Sequence, residues 1–126
     1  MQIRIFYEDT DAGGIVYHTN YLKYCERARS EPFFQKGIHP TDGKESGFVV
    51  RHIDANFLGM ARLGDIVEVR SELIKKRNAS IMIKQSIFKG DEKIFEMNVT
   101  LAFVRDGGKP KRIPTHLLET IINSKS

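Results

Sequence analysis

The sequence predicts an α+β fold: a curved antiparallel β-sheet of about five strands wrapped around one long central helix, with a short C-terminal helix. Three observations carry this. Four segments alternate apolar and polar residues with period two, one early stretch repeats apolar residues with helical spacing, and short turn-forming pairs separate the alternating segments. Each half-apolar strand needs a cover for one face, and the only long helix available is the one near the start. The edges of so small a sheet are left to pair with an identical chain, a route to a dimer or a dimer of dimers.

Taken in order, Ile3 to Tyr7 reads as a short first strand. From about Tyr17 to Gln35, Tyr21, Tyr24, Cys25 and Ala28 recur on one helical stripe, with Glu26, Arg27 and Arg29 mostly off it. Pro32 removes an amide donor inside this stretch and predicts a kink or an early end. Gly37 to Gly47 is a polar loop. Ile53, Ala55 and Phe57 then alternate with His52, Asp54 and Asn56, and Val67, Val69, Ser71 and Leu73 with Glu68, Arg70 and Glu72. Ile81, Ile83 and Ile87 continue the pattern, which is clearest from Phe95 to Phe103. Gly64-Asp65, Arg77-Asn78 and Gly90-Asp91 supply the turns, so sequence neighbours are expected to pair antiparallel. A short helix, Thr115 to Ile122, follows Pro114.

At 126 residues and 40% hydrophobic content the chain suits a single domain, residues 1–126, with one core. No run approaches the ~20 apolar residues of a membrane span, and MQIRIFYED lacks the character of a signal peptide, so a cytoplasmic location is expected. One cysteine, Cys25, excludes an internal disulfide framework and multi-cysteine metal sites. On the helix stripe it reads as a small core thiol, and His39, His52 and His116 carry no ligand spacing. The net charge of +4 suits an anionic partner but is mild for a dedicated nucleic-acid binder, so none is expected.

The densest chemistry lies in EDTDAGGIVYHTN, Glu8 to Asn20, between the first strand and the helix. Gly13 and Gly14 permit positive φ and close approach of a ligand, while unsatisfied amides at a helix start attract developing negative charge. A carboxylate beside them reads as a base or nucleophile facing an oxyanion site. Other readings stay open here. Asp9 and Asp11 suit Asx turns with His18 as a helix cap. Glu8, Asp9, Asp11 and His18 offer metal-ligand chemistry, although their spacing matches neither a calcium loop nor a zinc helix. Asp9-Thr10-Asp11 has the form of an aspartyl phosphotransferase loop, but the parallel sheet that such a loop requires is not predicted.

The run RIFYEDTDAGGIVYHTNYLKYCERARSE, Arg4 to Glu31, closely resembles the YbgC and 4-hydroxybenzoyl-CoA thioesterase family, which adopts the hotdog fold. The resemblance rests on Arg4, Ile5, Thr10, Asp11, Gly14, Ile15, Val16 and Tyr17, extended by Asn20-Tyr21 and Glu26-Arg27-Ala28-Arg29. Beyond Glu31 it rests on element order and on the turn Lys75-Lys76-Arg77-Asn78-Ala79-Ser80. Pro32 departs from the apolar residue expected at its position.

The resemblance implies a cofactor-independent acyl-CoA thioesterase, acting on an acyl-CoA or an acyl-carrier protein, with Asp11 as the catalytic carboxylate. It also implies a role for His18, whose imidazole would orient water or protonate the departing thiolate. Tyr7 is a third candidate for the pocket, from the end of the first strand. Coenzyme A carries several phosphate charges; Lys75, Lys76 and Arg77, with the hydroxyl of Ser80, are the leading basic patch for it, and Arg105 to Arg112 the second. Kinship further implies cytoplasmic homo-oligomers, tetramers among them, and a link to phospholipid metabolism. The competing reading is a non-catalytic module that holds an acyl-CoA or acyl-carrier protein on the same fold.

Overall fold

The computed structural model describes residues 1–43 and 45–124. The strands are β1 (Gln2–Arg4), β2 (Thr41–Asp42), β3 (Ser46–Phe57), β4 (Ile66–Lys76), β5 (Ser80–Lys89), β6 (Glu92–Arg105) and β7 (Lys109–Pro110). The helices are α1 (Thr19–Gln35) and α2 (Thr115–Asn123), and Tyr7–Asp9 forms a 3-10 turn. All pairings are antiparallel, in the order β1-β4-β5-β6-β3-β2, with β7 also on β6. Five strands plus two of two residues each thus make the curved sheet that the alternation predicts. Among the described residues no helix is long and apolar enough to cross a membrane.

The predicted stripe of α1 is the buried one: Tyr21, Tyr24, Cys25 and Ala28 face the sheet, joined by Phe33. They meet the inward residues of β4, β5 and β6, among them Val67, Val69, Ile87, Phe95, Val99 and Phe103. Tyr21 stacks on Phe95 with ring centroids 5.5 Å apart, which fixes the start of the helix over the middle of the sheet. Leu117 of α2 is fully buried, and the Ile113 amide donates to the Asn78 carbonyl, so α2 closes the core at the end of the β4–β5 turn.

Several expectations are corrected. The helix does not end at Pro32: the proline deletes one bond of the ladder, to the Ala28 carbonyl, while buried Phe33 holds the last turn. The first strand is shorter than predicted. The Phe6 amide donates to Asp9 Oδ2 and the Thr10 amide to the Tyr7 carbonyl, which pulls residues 7–9 out of the ladder and into a turn. Gly90-Asp91 and the turn after Arg77 do join paired neighbours, but Gly64-Asp65 does not. The chain leaves β3 at Phe57 and crosses to β4, and β3 pairs instead with β6. The loop from Gly37 to Gly47 also contains β2 and the first residues of β3; Lys44 within it lies outside the described residues.

The register of β3 against β6 sends Val50, Ile53 and Phe57 inward, opposite Leu101, Val99 and Phe95. They are nonetheless 50%, 37% and 52% exposed. Strand β3 stands outermost beyond its short pairing with β2; Tyr21 of α1 reaches Phe57, with ring centroids 6.2 Å apart, but the rest of the row stays largely open to solvent. The predicted buried face of this strand is therefore only partly covered among the described residues.

Candidate active site

The strip from Tyr7 to Asn20 is built by its own backbone. After the 3-10 turn the chain doubles back: Thr10 bridges Val16, the Asp11 amide donates to the Ile15 carbonyl at 3.0 Å, and the Tyr17 amide to the Asp9 carbonyl at 3.1 Å. Gly13 and Gly14 make the reversal at φ +94° and +73°, the left-handed region that other residues enter only with strain. A second segment supports the turn from outside, with Ile15 bridging Arg62, the Val16 amide on the Ala61 carbonyl and the Leu63 amide on the Gly14 carbonyl.

This places the three carboxylates differently. Asp9 is structural: its Oδ2 accepts the Phe6 amide at 2.8 Å, and its carbonyl accepts both the Tyr17 amide and Asn20 Nδ2. Glu8 is exposed on the 3-10 turn. Asp11 has its backbone clamped and its side chain exposed, and among the described residues no hydrogen bond or ion pair engages its carboxylate. No three His, Cys, Asp or Glu side chains gather into a metal-sized cluster among the described residues, so the four polar residues of the strip do not form one.

His18 stands at the head of α1, but its side chain does not cap the helix. The ring lies against Tyr17 (centroids 4.6 Å) and edge-on to Phe57 of β3 (5.9 Å). Its carbonyl accepts the Tyr21 amide, while its own amide has no acceptor among the described residues. Asp11 and His18 share no hydrogen bond; what they share is one exposed strip between β1 and the helix start. Tyr7 is 83% exposed, and in the turn it contributes its carbonyl, which accepts the Thr10 amide and hydroxyl. A β-carbon added at Gly13 meets nothing within 4 Å, and one at Gly14 meets only Leu63 Cβ at 3.9 Å. Space beside both glycines is therefore open.

The basic patch lies elsewhere. Lys75 and Lys76 end β4, the Arg77 amide closes the turn on the Ser80 carbonyl, and all three cations are exposed. Residues 61–65, which abut the Asp11 turn, immediately precede β4, so an eleven-residue strand of about 33 Å separates the two within one chain.

Two buried features were not anticipated. Tyr24 is fully buried with a hydroxyl that finds no hydrogen-bond partner, and burial together with the nearby Asp9 carboxylate pushes its phenol above the ordinary range. Arg29, expected off the stripe, is half-buried and donates to Gln85 Oε1 at 2.9 Å. Both had a signal. Arg29 follows Cys25 by four residues, one helical turn along the buried face, and Gln85 interrupts the inward series Ile81, Ile83, Ile87. A polar residue at each of two facing inward positions marks a buried network.

Comparison with known proteins is consistent with this geometry. The family model described as "Thioesterase superfamily" matches residues 13–96. Residues over 70% of the chain are 47% identical to an acyl-CoA thioesterase YbgC of Helicobacter pylori; the match spans 65% of that relative's length. A YbgC acyl-CoA thioester hydrolase of Escherichia coli is 32% identical over 92% of the chain and 90% of its own length. Among solved structures, a probable thioesterase from Bartonella henselae superposes with a TM-score of 0.82 at 31% identity, covering 90% of this chain and 97% of that one.

Proposed function

This chain belongs to the thioesterase superfamily, and on that premise we propose that it hydrolyses the thioester of an acyl-CoA or acyl-carrier protein to a free acid and a thiol, with Asp11 as the reacting carboxylate. The observation that carries this reading is the state of Asp11: an unengaged carboxylate on a backbone clamped from both sides, close in the chain to the uncapped start of α1. Asp9, by contrast, is spent on the Phe6 amide, and Glu8 stands on the 3-10 turn without the clamp that fixes Asp11.

Two courses are open to such a group. As a nucleophile, a carboxylate oxygen of Asp11 adds to the thioester carbonyl carbon; the C–S bond breaks, the thiolate leaves and takes up a proton, and water cleaves the resulting anhydride. As a general base, Asp11 takes a proton from the attacking water, and the same C–S bond breaks. In both, negative charge develops on the carbonyl oxygen, and the free amide at His18 with the helix dipole behind it is suited to receive it. The His18 imidazole, held against Tyr17 and Phe57, is available to orient water or to protonate the leaving thiolate.

The working unit in this proposal is a homodimer, or a dimer of dimers, paired along β3. Support comes from the uncovered inward row Val50, Ile53 and Phe57, joined by Leu58 and Met60, which are 55% and 53% exposed. Antiparallel pairing of two β3 strands reverses one sheet against the other. It brings the Lys75, Lys76 and Arg77 turn of the partner to the end of the joint sheet where this chain carries Asp11. That arrangement accounts for a phosphate-binding patch so far from Asp11 within one chain, with Ser80 adding a hydroxyl. A cytoplasmic setting and a place in phospholipid metabolism complete the reading. No cofactor is required by either course.

The test is thiol release from acyl-CoAs running from acetyl to palmitoyl and benzoyl types, with wild type and Asp11→Asn. The expected result is turnover by wild type and a loss of at least about 100-fold in Asp11→Asn without loss of folding. Full activity in Asp11→Asn would remove Asp11 from the mechanism. Tight binding by wild type without thiol release would instead establish a non-catalytic acyl-CoA or acyl-carrier-protein module.

A further inference from the structure

Two adjoining cavities of 440 and 260 Å³ lie between the C-terminal half of α1, the sheet and α2, and Arg29, Ile83 and Ile121 border both. The larger is in the range of small-molecule sites, about 300–1,000 Å³, and the smaller just below it. Arg29 reaches in from the helix. Its guanidinium donates to Oε1 of fully buried Gln85, whose Nε2 is in turn committed to the Cys25 carbonyl at 2.9 Å and the Ser71 hydroxyl at 3.0 Å. These two commitments fix the amide with its oxygen toward Arg29. The cation is thus oriented by a buried, satisfied network.

The network leaves the guanidinium underused. It carries five N–H donors, one of which serves Gln85, and among the described residues no carboxylate pairs with it within 4 Å. Burial draws Arg29 below its ordinary value, yet a guanidinium in a protein stays charged. The Glu26 carboxylate acts on Arg29 from a distance, but it is exposed and accepts the Ser30 hydroxyl rather than pairing with the guanidinium; a half-buried cation with no direct ion pair, beside an open cavity, favours an anion there.

The walls say what else the ligand must be. Phe33, Phe48, Ile81 and Leu101 give the smaller cavity an apolar wall, with Glu26 and Ser30 on its helix side, and Ala28, Pro32 and Leu73 extend the apolar surface into the larger one. Glu31 and Glu72 border the larger cavity, with Lys36 the other cation beside Arg29. The carboxylates bordering the cavities disfavour a diphosphate or polyphosphate, and one oriented guanidinium suits a single planar carboxylate. We propose that the paired cavities bind an aliphatic monocarboxylate of medium chain length, its head on Arg29 and its chain along Phe33 and Leu101. Arg29 lies ten residues beyond Thr19, about 15 Å along the helix axis, so this site is separate from the Asp11 strip. The inference does not depend on thioester hydrolysis by this chain.

The experiment titrates the full-length ¹⁵N-labelled protein with octanoate, 1-octanol or octylamine, and follows the Arg29 Nε–Hε resonance. Octanoate is expected to shift it saturably, and octanol and octylamine to leave it in place. Arg29→Met should weaken octanoate binding by about tenfold or more, the worth of a charge-assisted hydrogen bond, while Asp11→Asn should leave it unchanged. The wild-type reading stands even where Arg29→Met does not fold. Equal titration by octanoate and octanol, an Arg29 resonance that stays still while octanoate binds, absence of saturable binding in the millimolar range, or loss of binding in Asp11→Asn would each overturn the proposal.

Discussion

Tyr21→Phe isolates one bond that ties the candidate site to the fold. The Tyr21 hydroxyl accepts the Ala61 amide at 3.0 Å, and Ala61 is fully buried. Its neighbours in the chain hold the Asp11 turn, through the Ala61 carbonyl and through Arg62 and Leu63. Phenylalanine keeps the ring stack on Phe95 and the edge contact with Tyr24, so packing is conserved and the hydroxyl alone is removed. What remains is a backbone N–H that water cannot reach, and stranding such a donor costs about 1–3 kcal/mol. For a chain of this size that corresponds to a fall in Tm of about 4–12 °C. Calorimetry against wild type measures it, with urea unfolding as a second reading of the same free energy. A change below about 0.5 kcal/mol, the ordinary scatter of surface substitutions, would refute the reasoning, because the Ala61 amide would then have another acceptor or ready access to water.

Three further outcomes follow from single features. Gly14→Ala enters a backbone at φ +73° with no steric obstacle nearer than 3.9 Å, so it should lose about 1–2 kcal/mol of stability from conformation alone, measurable by urea unfolding; thiol release should fall further than stability does, because the turn carries Asp11. Burial pushes the Cys25 thiol up to about 12, so a thiol reagent at pH 8 should label the native protein no faster than it unfolds, and labelling should become rapid in urea. Asp42, which bonds Lys111 at 2.8 Å and so ties the β2 turn to the segment after β7, is held below its ordinary value of 3.8 by that hydrogen bond. A carboxyl depressed on folding contributes fully above its unfolded value and loses that contribution as pH falls through the folded one; Asp42→Asn should therefore lose less stability than wild type between pH 5 and pH 2 in acid unfolding followed by circular dichroism.

Periodicity made part of this legible and left the rest unwritten. The stripe of α1 and the inward faces of β4, β5 and β6 follow from repeats of 3.6 and 2 residues, because burial there is set by each element's own geometry. Strand order is another matter. Gly64-Asp65 has the composition of a hairpin turn, but β3 belongs beside β6, some forty residues later in the chain, and no local signal states a non-local pairing. The exposure of Ile53 and Phe57 is a property of that order, since the alternation alone describes a strand with a covered face. In the site, the motif containing Asp11 was readable as chemistry, whereas the separation of roles between Asp9 and Asp11 depends on which carboxylate the Phe6 amide meets. Arg29 and Gln85 were legible in principle. Each violates the apolar pattern of its own element, and the two violations face each other.

The exposure of Asp11 bears on what the reaction requires. A carboxylate surrounded by water is stabilised in its charged form, which makes it a poor nucleophile and a weak base; removal of that water is what raises its reactivity. Among the described residues nothing covers it, and the side chain is exposed. The apolar side chains left exposed nearest to the strip are Tyr17 beside His18, Phe57 against the His18 ring, and Leu63 beneath Gly14. They run on into Val50, Ile53, Leu58 and Met60, the surface to which the proposed partner would bind. One association would then bury apolar surface that the single chain leaves in water and take solvent from around the Asp11 carboxylate.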